Sequence, residues 1–445
     1  MSNVMVETSM QTQASTEKKQ DIKALLSWAL YDWASSAFSV VISTFVFAAF
    51  FVEVVAENPT KGMAEWGFIT GLAGLAIAIG GPILGAIADH CGLRKVWIAI
   101  LSAICIIATA FMWNIKPSHD YIGLALVLVF VATTATEWAY VFYNAMLPDL
   151  AAPAYVGRWS GWGWGMGYIG GMVALVLSLL AFIDSSHPWF NLDRASDADV
   201  RATFILTAVW YLVFSIPLFI YTPSSKWTGV PVKEAIKRGF NDIRVSVTNL
   251  KQYGAIFRFF IARMFYTDGL ITLFTFGGVY AAATFNMPQQ DILLFGISLN
   301  ITAGIGAALF AIWDDRYGGK KMIIISLLCL IVVGSLALLA ETERMFWFYG
   351  LLVGIFVGPS QASSRSYLAR VVPPHLRNQF FGFFALTGKA TAFLGPMLVS
   401  YITFTTNNQR LGLGIVIVFL IIGVLLMLTV PSEKQLIERT NGTST

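Results

Sequence analysis

Long apolar runs separated by short polar breaks make up most of this chain of 445 residues. A helix that crosses a bilayer needs about 20 apolar residues. Reading for such runs predicts twelve spans: 26–55, 65–88, 96–114, 121–147, 158–183, 203–222, 256–285, 290–313, 322–340, 345–369, 380–405 and 411–430. The breaks alternate in charge. With the N-terminus placed in the cytoplasm, 20 of the 29 Lys and Arg residues fall in inner loops and tails, 6 in outer loops and 3 inside spans. That bias predicts cytoplasmic termini. The longest inner break, 223–255, divides the spans six and six. Its segment KEAIKRGFNDIRVSVTNL has the pattern of a basic amphipathic helix at the membrane surface, with a plain inter-bundle linker as the alternative.

The predicted architecture is therefore an all-α membrane protein. A cytoplasmic tail (1–25) precedes a first six-helix bundle (26–222), and a basic linker (223–255) leads to a second bundle (256–430) and a cytoplasmic tail (431–445). The polar opening lacks the basic start and short apolar core of a signal peptide, so the first apolar segment is expected to be an uncleaved span.

Composition agrees with the pattern. Charged residues make up 12% of the chain, half the share usual in soluble domains. The net charge of +4 sits in short loops between apolar runs and does not point to nucleic acid. Cys91, Cys105 and Cys329 are widely spaced, which supports neither a disulfide framework nor a thiolate metal site. His90, His119, His187 and His375 all fall in predicted loops, so no metal or cofactor is expected. No Walker A sequence is present to couple ATP directly. GMGYIG (165–170) matches a nucleotide fingerprint but lies in an apolar helix, where Gly161, Gly163, Gly167 and Gly171 suit close helix packing instead. The N-x-T sequences at Asn300 and Asn441 fall in a span and a cytoplasmic tail, where glycosylation is not expected.

The two halves repeat. GAIADHCGLRK, with Gly85, Asp89, Gly92, Arg94 and Lys95, follows the second span. AIWDDRYGGKK, with Asp315, Gly318, Lys320 and Lys321, follows the eighth. Both fit a tight loop in which glycine permits the turn while the acid and the basic pair bridge neighbouring helix ends. Tyr31-Asp32 in the first span is matched by Tyr266-Thr267-Asp268 in the seventh, and Pro153 by Pro374, at nearly the same offset. Internal repeats of this kind mark secondary transporters, whose substrate site lies between the halves.

Twelve spans with the G-xxx-D-xx-G-x-R-K loop resemble the major facilitator superfamily over about 25–430. Within it, YDWASSAF, NAMLPDLAAPAYVGRWSGWGWGMGYIGG and FYTDGLITLFTFGGVYAA resemble the branch of the fungal vacuolar amino-acid effluxers and their bacterial members. The resemblance implies two pseudo-symmetric six-helix bundles, alternating access as a monomer, and a cavity lined by helices 1, 4, 7 and 10. It also implies a multi-pass protein of the bacterial inner membrane.

Six charged side chains fall inside predicted spans: Asp32, Glu137, Arg263, Asp268, Arg365 and Lys389. Each is costly in lipid and demands a partner or water. At 1.5 Å per residue, Asp32, Glu137, Asp268 and Lys389 lie about 13–15 Å from the inner ends of their spans, in roughly one layer. With Tyr31, Trp33, Ser35 and Tyr266 they form the expected substrate and proton site. Burial is expected to favour the neutral form of Asp32, and a nearby Lys389 the charged form. Arg263 and Arg365 lie nearer the inner face and are expected to be structural, reaching the headgroups by snorkelling. A site of both signs matches a zwitterion such as an amino acid, carried with protons or by facilitation. A multidrug exporter is the first alternative. The second is a receptor or assembly factor that does not transport.

Overall fold

The computed structural model describes residues 20–183, 189–225, 227–248 and 250–436. His187, Lys226, Asn441 and the tail residues 1–19 and 437–445 lie outside them. Among the described residues, eleven helical stretches are long and apolar enough to cross a membrane. Spans 1 to 6 are Ile22–Val55, Pro59–Cys91, Arg94–Asn114, His119–Leu150, Pro153–Ile183 and Ala198–Tyr221. Spans 7 to 10 are Tyr253–Phe285, Gln290–Tyr317, Gly319–Leu338 and Glu343–Val371, and span 12 is Gln409–Leu436.

The expected span 11 is present but broken. It consists of helices Arg377–Thr387 and Leu394–Thr406, joined by turns over 388–393. The two inner ends of the break leave backbone groups without intrahelical partners. Span 7 supplies both compensations. Arg263 Nη1 donates to the Phe384 carbonyl at the end of the first piece, at 2.7 Å. The Asp268 carboxylate faces the backbone N–H of Gly395 in the first turn of the second. A cation at a helix C-terminus and a carboxylate at an N-terminus both oppose the local dipole.

Short polar residues define the ends of other spans. Asp21 caps span 1 by accepting from Ala24 N, and Asn58 caps span 2 by accepting from Lys61 N. Thr342 caps span 10 through Met345 N. Gly92 and Gly318 close spans 2 and 8 with φ of 70° and 88°. That region favours glycine, which explains the matching glycines of the two repeat loops.

The spans pack as two bundles. Contacts between them run along spans 5 and 8, spans 2 and 11, and span 10 against spans 4 and 5. They concentrate toward the face that carries Gln20, the basic loops and Leu436, here called the basic face. There Gly157, Gly161 and Gly165 of span 5 lie directly against Asp314, Ala307, Ala311 and Gly304 of span 8. Toward the opposite face, Gly67, Gly71 and Gly74 of span 2 and Gly296 of span 8 have open space beside them. The halves are thus zipped at the basic face and part from each other beyond it. A linker helix, Val232–Thr248, packs across the end of span 2.

Candidate functional site

The basic seam is built twice, by the same device. Asp89, at the end of span 2, accepts from Asn378 N at 3.1 Å, Asn378 Nδ2 at 2.7 Å and Gln379 N at 2.9 Å. These amides are the second and third of the first piece of span 11. Asp315, at the end of span 8, accepts from the amides of Gly157 and Arg158, which hold the same two places in the α-helix Val156–Ser178 of span 5. Each acid therefore caps a helix of the other half, where the free N–H groups and dipole favour negative charge. Arg94 adds Nε to Asn378 Oδ1 at 2.8 Å and Nη1 to Asp149 at 2.6 Å, and Asp149 also pairs with Arg377. Arg370 gathers Asp314, Asp315 and Glu433. Lys95 turns instead into its own bundle, onto the carbonyls of Phe219 and Thr222. Lys320 N meets Glu433 Oε1 at 3.3 Å, and Lys321 is exposed.

Deeper in, Asp32 and Arg365 form an ion pair at 3.1 Å with side chains 7% and 2% exposed. Arg365 also donates to Asn144 Oδ1, Ser160 Oγ and the Ser160 carbonyl. Tyr143 donates to Asp32 Oδ2 at 2.8 Å. Tyr143 stacks on Trp28 with centroids 4.6 Å apart, and the guanidinium lies 4.9 Å from the Trp28 ring centre. A Cβ on Gly163 would come within 2.8 Å of Asp32 Oδ2 and 2.9 Å of Arg365 Nη2, so only glycine leaves room for the pair. Arg365 belongs to the second half and every partner named here to the first.

This overturns two expectations. Arg365 does not snorkel, because its donors are satisfied inside the protein. Arg263 does not snorkel either: it is 6% exposed, bonded to Phe384 O and Thr387 Oγ1, and lies over the Phe384 ring at 3.5 Å. The partner of Asp32 is Arg365, not Lys389. Lys389 sits in the break of span 11, where the chain leaves the helical path, and pairs with Glu137 of span 4 at 2.9 Å. Their side chains are 33% and 31% exposed. Six intramembrane charges thus become two ion pairs between the halves, plus Arg263 and Asp268 at the helix break.

The aromatic and hydroxyl neighbours divide. Tyr31 is fully buried and bonds Ser102 and Tyr211 within the first bundle. Ser35 is fully buried against Tyr140 and the Tyr31 carbonyl. Tyr266 is buried and bonds Ser364. Trp33 is half-buried and stacks on Trp210. Asp268 is 3% exposed, and its Oδ1 has no hydrogen-bond partner among the described residues, as is true of Thr267 Oγ1 and Thr272 Oγ1. An apolar cavity in the second bundle, lined by Leu273, Phe295, Leu330, Phe346 and Leu420 among others, lies apart from these charges.

Sequence reasoning missed Tyr143, Asn144, Ser160 and the Asn378-Gln379 pair. All are uncharged and lie far along the chain from their partners. The one available signal was the repeat itself: each loop acid needs a helix end to cap.

The geometry has counterparts. The family model described as "Vacuole effluxer Atg22 like" matches residues 67–158 and 154–440. The MFS-type transporter YxiO of Bacillus subtilis (strain 168) is 28% identical over 412 residues, covering 92% of this chain and 95% of its own. Autophagy-related protein 22 of Cryptococcus neoformans (serotype D, strain JEC21) is 25% identical over 305 residues, covering 62% of this chain and 51% of its own. This chain thus matches about half the length of that fungal relative. Among solved structures, the proton:xylose symporter XylE aligns with a TM-score of 0.71 at 15% identity, covering 92% of this chain and 96% of that one. A bacterial homologue of the iron transporter ferroportin aligns at 0.66 and 14%, covering 92% and 98%. These last two establish the fold alone. With two six-span bundles, a doubled seam and these matches, the chain is a multi-pass membrane transporter that belongs to the Atg22-like vacuole effluxer family, within the major facilitator superfamily.

Proposed function

We propose that the protein moves a small polar metabolite, amino acids first among them, by alternating access in a bacterial plasma membrane with the basic face toward the cytoplasm. The observation that carries this reading is the Glu137–Lys389 pair. It joins the two halves, contains both signs, and is one-third exposed where the halves begin to part. A zwitterion matches it group for group, with its ammonium on Glu137 and its carboxylate on Lys389. The break in span 11 adds support, because unwound helix at membrane depth is tolerated where it lines a cavity or is buried in protein.

The second pair, Asp32–Arg365, supports the alternation: its attraction holds the basic seam shut, and removing the Asp32 charge would loosen that contact. The resident pair Glu137–Lys389 closes on itself when the substrate leaves, so neither charge is stranded.

The test is uptake into liposomes of a panel of amino acids and neutral solutes, with and without an imposed pH gradient. Glu137→Gln and Lys389→Met should each lower amino-acid uptake about tenfold or more, the scale of losing one charged hydrogen bond. Asp32→Asn should abolish the response to the gradient. Wild-type rates in all three variants would refute the assignment.

A further inference from the structure

The linker helix Val232–Thr248 has three distinct arcs. Ala235, Gly239, Asp242, Ile243 and Ser246 recur at helical spacing and turn toward the protein. Gly239 lies against Ala86 and Ile87, and Ala235 packs with Ile87 and Cys91 at the end of span 2. The next arc carries Ile236, Phe240 and Val247, exposed at 39%, 53% and 47%. Beside it run Lys233, Lys237 and Arg244, all exposed and in no ion pair among the described residues, though Lys237 lies near enough to Glu234 to act on its charge. Arg238, by contrast, is tied to Glu234 at 3.0 Å. Exposed Tyr221 and Trp227 precede the helix, as is usual at a lipid–water boundary. An exposed apolar stripe flanked by free cations is the pattern of a helix seated in an anionic lipid surface.

The docked face touches both halves of the transporter. Asp242 meets His90 of the first half at 2.6 Å. Ser246 accepts from Gln379 of the second half at 2.9 Å. The backbone of Gln379 is itself held by Asp89 across the seam. The helix therefore lies over the span 2–span 11 junction like a clasp.

We propose that this helix is a receptor for anionic phospholipid headgroups and that headgroup binding holds the clasp down, favouring the state with the basic face shut. Lys233, Lys237 and Arg244 take the headgroups, while Ile236, Phe240 and Val247 enter the acyl boundary. The anionic leaflet thereby sets the resting balance of the transporter, independently of which solute it carries.

Cys91 lies beneath the docked helix at 5% exposure and reports on it directly. The full-length protein is reconstituted in vesicles of phosphatidylcholine alone or with one part in three phosphatidylglycerol. Alkylation of Cys91 by N-ethylmaleimide is followed by peptide mass spectrometry, which separates it from Cys105 and Cys329. Phosphatidylglycerol should slow the reaction by about fivefold, and high salt should erase the difference. K233Q/K237Q/R244Q feels the same surface potential and should show no lipid dependence. K233R/K237R keeps the charge and should behave as wild type. Equal wild-type rates in the two vesicle types, loss of the dependence in K233R/K237R, or an undiminished dependence in the triple glutamine variant would overturn the proposal. If the triple variant fails to fold, the first two comparisons still decide.

Discussion

Among the ion pairs that join the halves in the described residues, two lie deeper than the basic seam, and they differ in access to water. Asp32–Arg365 is sealed, with every donor engaged by a protein partner or stacked on Trp28. Glu137–Lys389 is one-third open. The same chemistry has different consequences in the two settings. A sealed pair whose partner is removed leaves a charge without solvation, while an open one falls back on water. The sealed pair is suited to holding the seam, and the open pair to exchanging partners with a solute.

Removing one member of the sealed pair should have the largest effect. Arg365→Met should destabilise the protein by about 3–5 kcal/mol, read as a loss of thermal stability in detergent, and Asp32→Asn added to it should recover part of the loss. No recovery in the double variant would mean that the pair is not the relevant unit. Gly163→Val comes next. It drives side-chain carbon into the space of Asp32 Oδ2 and Arg365 Nη2 and should cost about 1–3 kcal/mol in the same assay. Asp89→Ala removes the cap on span 11 and should cost about 1–2 kcal/mol, with faster labelling of a cysteine placed at residue 378. Glu137→Gln should change stability by about 1 kcal/mol or less while lowering uptake, which separates the two pairs most sharply. The smallest effect belongs to the exposed Glu57–Lys61 pair, whose loss in Glu57→Gln should leave the melting temperature unchanged.

The apolar runs made the spans legible, because a bilayer imposes length and hydropathy on any helix that crosses it. The repeat loops were legible too, since Gly92 and Gly318 answer a backbone need that few other residues meet. The six charges inside the spans marked a candidate site, but not their pairings. Arg365 finds Asp32 across 333 positions, and no local pattern carries that information. The break in span 11 did leave a local trace: Gly388 and Gly395-Pro396 bracket it, and Pro396 has no N–H with which to continue the helix, while Arg263 and Asp268 meet the two ends.

The two pieces of span 11 also differ in what they touch. The first piece of span 11 rests chiefly on spans 2 and 4 of the opposite bundle, while the second piece rests on spans 7 and 12 of its own. Residues 388–393 thus join a piece of span 11 that packs across the seam to a piece that packs within its own bundle, and Lys389 stands at that joint.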